Sequence, residues 1–233
     1  MFNGKMKALT FSFDDGVKQD RRLIELLDKY GLKATFNINT NLLGRRNPIT
    51  NHEGITIRHD KVNIHEVREL YKDHELAVHT LTHPRLPDIE DDETILYEVD
   101  EDRKNLEFFT GHEIVGMAYP CGGVNNDDRV AKLIGDNTPI KYARTITSTF
   151  SFEPQENLLR FNPSVHWLQW DQMFELAEKF IELKADKPQI YYIWGHSYEL
   201  DFHPEWWDKF EEFCKLVSGK EDIFYGTNRE VLL

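Results

Sequence analysis

Two carboxylates stand side by side in FSFDDG (residues 11–16), where an apolar run stops and a glycine begins. Asp14 and Asp15 repel each other and neither gains by burial, so the pair calls for partners that give each acid its own task. A turn that only ends a strand is the plainer reading of Asp-Gly. HTLTHP (79–84) sets His79 and His83 four residues apart, AYPCGG (118–123) is a glycine-rich turn, and WGHS (194–197) carries His196. Alone, each has a bland meaning: a surface histidine pair, a turn, a packing histidine. Together they make a set. A carboxylate and two neutral imidazoles suit zinc or another borderline divalent ion, with at least one position left to water. Bound water then becomes a nucleophile near neutral pH. Because side chains alternate in direction at a strand end, one aspartate can hold the ion while its neighbour faces the water as base.

The elements that must position these groups alternate in type. KALTFSF (7–13) reads as a strand, followed by a helix with Leu23, Ile24, Leu26 and Leu27 on its apolar face. LKATFNI (32–38) is a second strand, and the polar stretch 44–61, with Gly44, Pro48 and Gly54, reads as a long loop. A helix opens at Asn63, where Glu66 completes a capping-box pattern. ELAVHT (75–80) is a third strand, 91–109 a long amphipathic helix, and EIVGMAYP (113–120) a fourth strand. A helix near 126–134, a strand IKYART (140–145), a helix across 171–184 and the strand QIYYIWGH (189–196) follow. Pro204 suits the first residue of a helix running through Cys214 and Val217, and IFYG (223–226) is a last short strand.

Such alternation, without repeats or low-complexity linkers, argues for an α/β fold on a parallel sheet. An open doubly wound sheet and a closed barrel are equal at this level. All four clusters fall at C-terminal strand ends, however, and Pro84 disfavours helix at His83. A barrel rings such ends around one mouth, whereas an open crevice gathers four strands less easily.

Lys plus Arg number 28 against 41 Asp plus Glu, a net charge of -13. That surface repels phosphate backbones and anionic lipid, so nucleic acid and membranes are not expected partners. No apolar stretch approaches the roughly 20 residues of a membrane helix. The opening MFNGKMKALTFSFDDG leaves no room for a signal peptide, so the chain reads as cytoplasmic. Two cysteines, Cys121 and Cys214, imply no disulfide framework.

FSFDDG, HTLTHP, a YPxG-type turn and a late strand ending in histidine, in that order over about residues 7–200, closely resemble the polysaccharide deacetylase family (NodB homology, carbohydrate esterase family 4). The resemblance implies a single catalytic domain over 1–233, an α/β deformed and incomplete (β/α) barrel of about seven strands. It also implies removal of N- or O-acyl groups from sugars with one divalent metal: zinc first, with cobalt, nickel or manganese as alternatives. Asp14 becomes the general base, and Asp15, His79 and His83 the metal ligands. The Cys121 backbone N–H helps hold the oxyanion, with Tyr119 and Gly122 beside it in the turn, and His196 is the general acid.

Two places depart from the family pattern. Where many members carry an arginine that pairs with the base, this chain has Ala118, which leaves Arg144 or Arg160 to reach it, with a solvated surface charge as the equal alternative for either. The motif that orients the acid histidine has no clean match, which leaves Asp171 or Glu199 for His196, with a helix N-cap the simpler role for Asp171. Among the tryptophans, Trp194 lies two residues before His196 and is the expected pocket residue, while Trp206 and Trp207 read as helix packing. His52, His59, His65 and His74 receive no role. The expected activity is hydrolysis of an N-acetyl group on a sugar or oligosaccharide. The alternatives are a small amide substrate, such as a ureide or cyclic imide, and a non-catalytic carbohydrate-binding barrel. Oligomeric state is not legible.

Overall fold

The computed structural model describes residues 2–233. β1 (Lys7–Asp14) is buried at all eight positions, as a parallel strand covered on both faces must be. It pairs along its second half with β2 (Ala34–Ile38), and α1 (Asp20–Lys29) connects the two, turning Leu23, Ile24 and Leu27 inward. β3 (Pro48–Thr50), β4 (Thr56–Arg58) and α2 (Ile64–Leu70) lead to β5 (Glu75–Val78). Then come α3 (Asp92–Thr110), β6 (Gly116–Ala118), α4 (Asp128–Asn137), β7 (Tyr142–Arg144) and the two-residue β8 (Val165–His166). The chain ends with α5 (Trp170–Glu182), β9 (Gln189–Gly195), α6 (Glu205–Val217), β10 (Ile223–Tyr225) and α7 (Asn228–Leu232).

The main sheet runs in the order β7-β6-β5-β2-β1-β9-β8, with β10 beside the first half of β1, and every pairing is parallel. Its two ends curl toward each other. The segment 161–166 runs between them: Phe161 bridges Arg144 at one end, and Val165 and His166 pair with β9 at the other. This is the incomplete barrel of about seven strands, and its C-terminal strand ends carry all four motif clusters. Within a mainly aliphatic core, aromatic rings of β1, β2 and α6 pack together. Phe11 and Phe13 meet Phe210 at 6.1 Å, edge to face, and Phe13 stacks with Phe36 at 5.9 Å. No helix of the described residues is long and apolar enough to cross a membrane.

Three local readings need correction. The stretch 44–61 is not a loop but the hairpin of β3 and β4. Its strands are short and mostly exposed, so they carry no apolar period to read. Backbone bonds zip its base: Gly44 N–H to the Val62 carbonyl at 2.8 Å, and Lys61 N–H to that of Arg45 at 2.9 Å. Pro204 occupies the cap position, with α6 starting at Glu205. Asp171 is not an N-cap: Gln169 is, and Asp171 lies in the first turn of α5, where its charge suits the helix dipole.

Gly195, the last residue of β9, is required by a close approach. A Cβ there would lie 1.7 Å from Cδ1 of Trp167, which is wholly buried. Overpacking of this kind costs about 1–3 kcal/mol. Gly195→Ala is therefore expected to lower the urea unfolding midpoint by a corresponding amount, and an unchanged midpoint would show that Trp167 moves aside freely.

Candidate active site

The turn after β1 separates the two acids. Asp15 has φ +85° and Gly16 φ +60°, and a left-handed aspartate persists only when its surroundings hold it. Here the Asp15 N–H donates to the Asn37 carbonyl at 2.9 Å, and the Gly16 carbonyl accepts from Val62 N–H at 2.9 Å. A Cβ on Gly16 would press on Ile38 at 3.1 Å. Asp14, still on the strand, points to a different set of partners.

Arg144 is fully buried at the end of β7. Its Nη2 donates to Asp14 Oδ2, its Nε to Ser12 Oγ at 3.2 Å and its Nη1 to the Thr145 carbonyl at 3.0 Å. Asn37 Nδ2 donates to Asp14 Oδ1 at 2.8 Å. Burial pushes the Asp14 pKa up, but the Arg144 guanidinium and the imidazoles of His79 and His196 outweigh it and hold the carboxyl below its ordinary value. Ala118 is the register partner of Arg144 across β6 and β7, so the guanidinium enters from the neighbouring strand at the level of the alanine. Arg160 faces elsewhere, bonding Asn126 and Asp128.

Asp15 is held by the hairpin. Lys61, itself buried, sits 3.0 Å from Oδ1 and donates to the Asp15 carbonyl at 2.9 Å. His59 Nε2 lies 3.2 Å from Oδ2. Burial raises the Asp15 pKa; the Lys61 ammonium and the His59 hydrogen bond carry it well below the ordinary range. Both residues were missed: nothing in the local sequence of a polar hairpin marks them as neighbours of Asp15.

The histidine loop is braced from α3. Asp102 accepts from Thr40 N–H at 2.7 Å and His79 N–H at 3.1 Å. One turn earlier, Glu98 accepts from Thr82 N–H at 2.8 Å and Thr82 Oγ1 at 2.6 Å. These bonds hold a loop with φ of +65° at Thr80 and +68° at His83. A signal for Asp102 was present: it falls on the apolar stripe of α3 between Val99 and Leu106, all three buried. An acid on such a stripe calls for a polar partner inside.

Asp15, His79 and His83 each offer a donor atom, all within 4.8 Å of one another. His79 Nδ1 lies 2.9 Å from the Ala118 carbonyl, which places the proton on that nitrogen and leaves Nε2 as the donor atom. Burial lowers the His79 pKa to about 4 and also lowers that of His83, which favours the neutral rings that ligands need. The set therefore fits a divalent cation of the zinc type. Lys61 is an unusual companion, because it shares Asp15 Oδ1 with the His83 side, where Nε2 lies at 3.8 Å.

His196 faces the same space, with Nε2 4.0 Å from Asp14 Oδ2. Of its two proposed partners, Glu199 is the neighbour: Oε1 lies 3.2 Å from His196 Nδ1, off the axis of a proper hydrogen bond, and Oε2 accepts from His196 N–H at 3.1 Å. Burial pulls the His196 pKa down, but the Glu199 carboxylate, aided by Asp15 and Asp14, raises it to about 9. His166, unmarked in the sequence, stands on the far side of Glu199 at 3.6 Å, and burial lowers its pKa to about 4.

Asp14, Asp15, His79, His83, Tyr119, Cys121, Gly122, Trp194 and His196 all line one cleft of about 780 Å³. Arg144 lies behind it. Cys121 has φ +68° and turns Sγ toward His83, 3.7 Å from Nδ1. Trp194 is nearly buried, with the Arg144 guanidinium 4.2 Å over its ring, so much of that face is already covered. Trp206 packs edge-on against Trp167 and Trp170, and Trp207 is buried. Asp20, the buried first residue of α1, anchors the loop after His196: Ser197 Oγ donates to it at 2.5 Å and Tyr71 Oη at 2.6 Å.

This barrel gathers paired acids and histidines at one mouth, and its sequence shows the family. Residues 3–136, more than half of the chain, match the profile described as polysaccharide deacetylase, and the chain belongs to that family. Among solved structures, the peptidoglycan deacetylase PdaC from Bacillus subtilis is 15% identical, with 97% of this chain covered, 90% of that one, and a TM-score of 0.55. The polysaccharide deacetylase Bc1974 from Bacillus cereus is 16% identical, covering 95% and 91% at a TM-score of 0.52. BA3943 from Bacillus anthracis, described as a pseudoenzyme of the family, is 18% identical, covering 100% and 67% at 0.53. No curated protein sequence is a significant match.

Burial raises the Asp20 pKa from 3.8 to about 7, against the bonds from Ser197 and Tyr71. Between those values the folded chain binds the proton that the unfolded chain has lost, so stability falls as pH rises from about 4 to 7. The slope from this group is at most about 1.4 kcal/mol per pH unit. Urea unfolding at pH 5 and pH 8 should therefore show Asp20→Asn narrowing the gap between the two pH values. An identical gap in the variant would mean that Asp20 is ionised at both.

Proposed function

We propose that this chain is a metal-dependent hydrolase that removes an N-acyl group, most simply acetyl, from a sugar or oligosaccharide, with residues 1–233 acting as one catalytic domain. The observation that carries the reading is the Asp15, His79 and His83 donor set with Asp14 and His196 facing the same space. A divalent cation held by those three donor residues would supply an acidic water and polarise the acyl oxygen.

The chain supplies the remaining steps. Asp14, kept ionised by Arg144, takes the proton of the attacking water, and Asn37 fixes the orientation of its carboxylate. The Cys121 N–H, at the turn that lines the cleft, helps hold the oxyanion of the tetrahedral intermediate. His196 gives its proton to the departing nitrogen, which leaves poorly as an anion, and Glu199 keeps that imidazole charged until then. Asp14 below its ordinary pKa and His196 above its own are the opposed shifts that an acid–base division needs. A family fold alone does not guarantee activity, since one structural neighbour is described as a pseudoenzyme. Here the residues assigned as donor set, base and acid all line one cleft, which supports an active enzyme.

Elemental analysis should find about one divalent ion per chain. His79→Ala and Asp15→Asn are expected to lose it, whereas Asp14→Asn should keep it and lose about 10²–10⁴ in rate. Retention by Asp15→Asn with loss by Asp14→Asn would reverse the two roles.

For His196, kcat/KM should fall as pH rises through its pKa, at or below about 9, since a nearby cation lowers the value. His196→Ala should hold the ion, flatten that alkaline limb and lose far more rate on an amide than on an activated ester, whose leaving group needs no proton. Equal losses on the two substrates would retire His196 as the acid.

A further inference from the structure

We propose that the acyl sugar taken by this cleft carries a negative charge, a carboxylate or a phosphate, which Arg45 and Arg46 receive on the hairpin side. This inference rests on the deacylase reading above. The chain as a whole is strongly acidic, at -13, yet the acids among the cleft residues are only Asp14 and Asp15, against Arg45, Arg46 and Lys61. Both aspartates are already neutralised, Asp14 by Arg144 and Asp15 by Lys61. The other charges of the hairpin are also spoken for: Arg58 pairs with Asp60 at 2.7 Å, and Glu53 with His203 at 2.9 Å. Among the described residues neither Arg45 nor Arg46 forms an ion pair, and the one acid on which Arg46 acts from a distance, Asp60, is bonded to Arg58.

Their position is built rather than trailing. The Arg45 carbonyl accepts from Lys61 N–H, Val62 N–H reaches the Gly16 carbonyl, and Lys18 N–H reaches that of Asp60. The arginines therefore ride on backbone tied directly to the turn that carries Asp14 and Asp15. A cation held by the donor set would add to the positive side, so an anionic ligand meets a favourable field along its whole approach. Guanidinium groups match the planar oxygens of carboxylate and phosphate.

The test is calorimetry on zinc-loaded Asp14→Asn protein with three ligands: a neutral N-acetylglucosamine oligomer, N-acetylmuramic acid with its lactyl carboxylate, and N-acetylglucosamine 6-phosphate. One of the two anionic sugars is expected to bind about tenfold or more tighter than the neutral one. Whichever arm does so identifies carboxylate or phosphate. Added salt should shrink the preference, because these arginines are solvent-exposed. Combining Arg45→Gln with Arg46→Gln should bring the ratio of affinities close to one while the thermal midpoint stays put. Equal binding of all three sugars, or a preference that survives the double substitution, overturns this inference and leaves the deacylase reading in place. Binding of none overturns both.

Discussion

Asp14 and Arg144 form a buried ion pair across the interior of the barrel, and the architecture of the site depends on it. In the sheet, β1 and β7 are separated by β2, β5 and β6; only the curl brings their ends within bonding distance. An unpaired buried carboxylate costs several kcal/mol, so the pair ties the chemistry to closure of the barrel. Trp194 on β9 covers the guanidinium from the other side. Strands from both halves of the sheet thus meet around one charge, and the segment 161–166 spans the gap that remains.

The second acid has a different kind of support. Asp15 draws its partners from the hairpin, through Lys61 and His59, and that hairpin is fastened to the same turn by backbone bonds. The histidine loop is braced in turn by Glu98 and Asp102 of α3. The two acids and the histidine loop therefore each rest on a second layer whose bonds come from a separate element. Such layering holds side chains in a fixed relation without relying on the loops themselves.

Much of this was legible because strand ends announce themselves. FSFDDG, HTLTHP and WGHS each follow a hydrophobic run; the order of runs is enough to expect a parallel sheet, and the motifs at its strand ends favour a barrel with one mouth. Boundaries and polar pieces were less legible. The hairpin 44–61 has no apolar period, and β8 is two residues long, so neither could be read from pattern. Arg144 and Glu199 were each left as one of two options, because choosing requires knowing that β7 curls over β1 and that residues 197–201 form a tight helical turn. Lys61 and His59 meet Asp15 across more than forty residues, a distance at which sequence spacing carries no information.

The trio around Glu199 shows why placement, rather than residue type, decides which histidine can donate a proton. His166 and His196 are both half-buried, and loss of water drives each toward the neutral form. One carboxylate between them can support one imidazolium well, since two would repel at short range. The tie is broken by the far side of each ring. His196 looks toward Asp14 and Asp15, whose charges add to that of Glu199. His166 has Arg144 among its neighbours, and its Nδ1 already accepts a bond from Leu168 N–H at 3.1 Å. The proton therefore settles on His196, the ring that faces the cleft. Glu199 raises its pKa most and the two acids of the opening motif add to that, while His196 in turn helps hold Asp14 ionised, so the base and the acid of the proposed reaction support each other's charge.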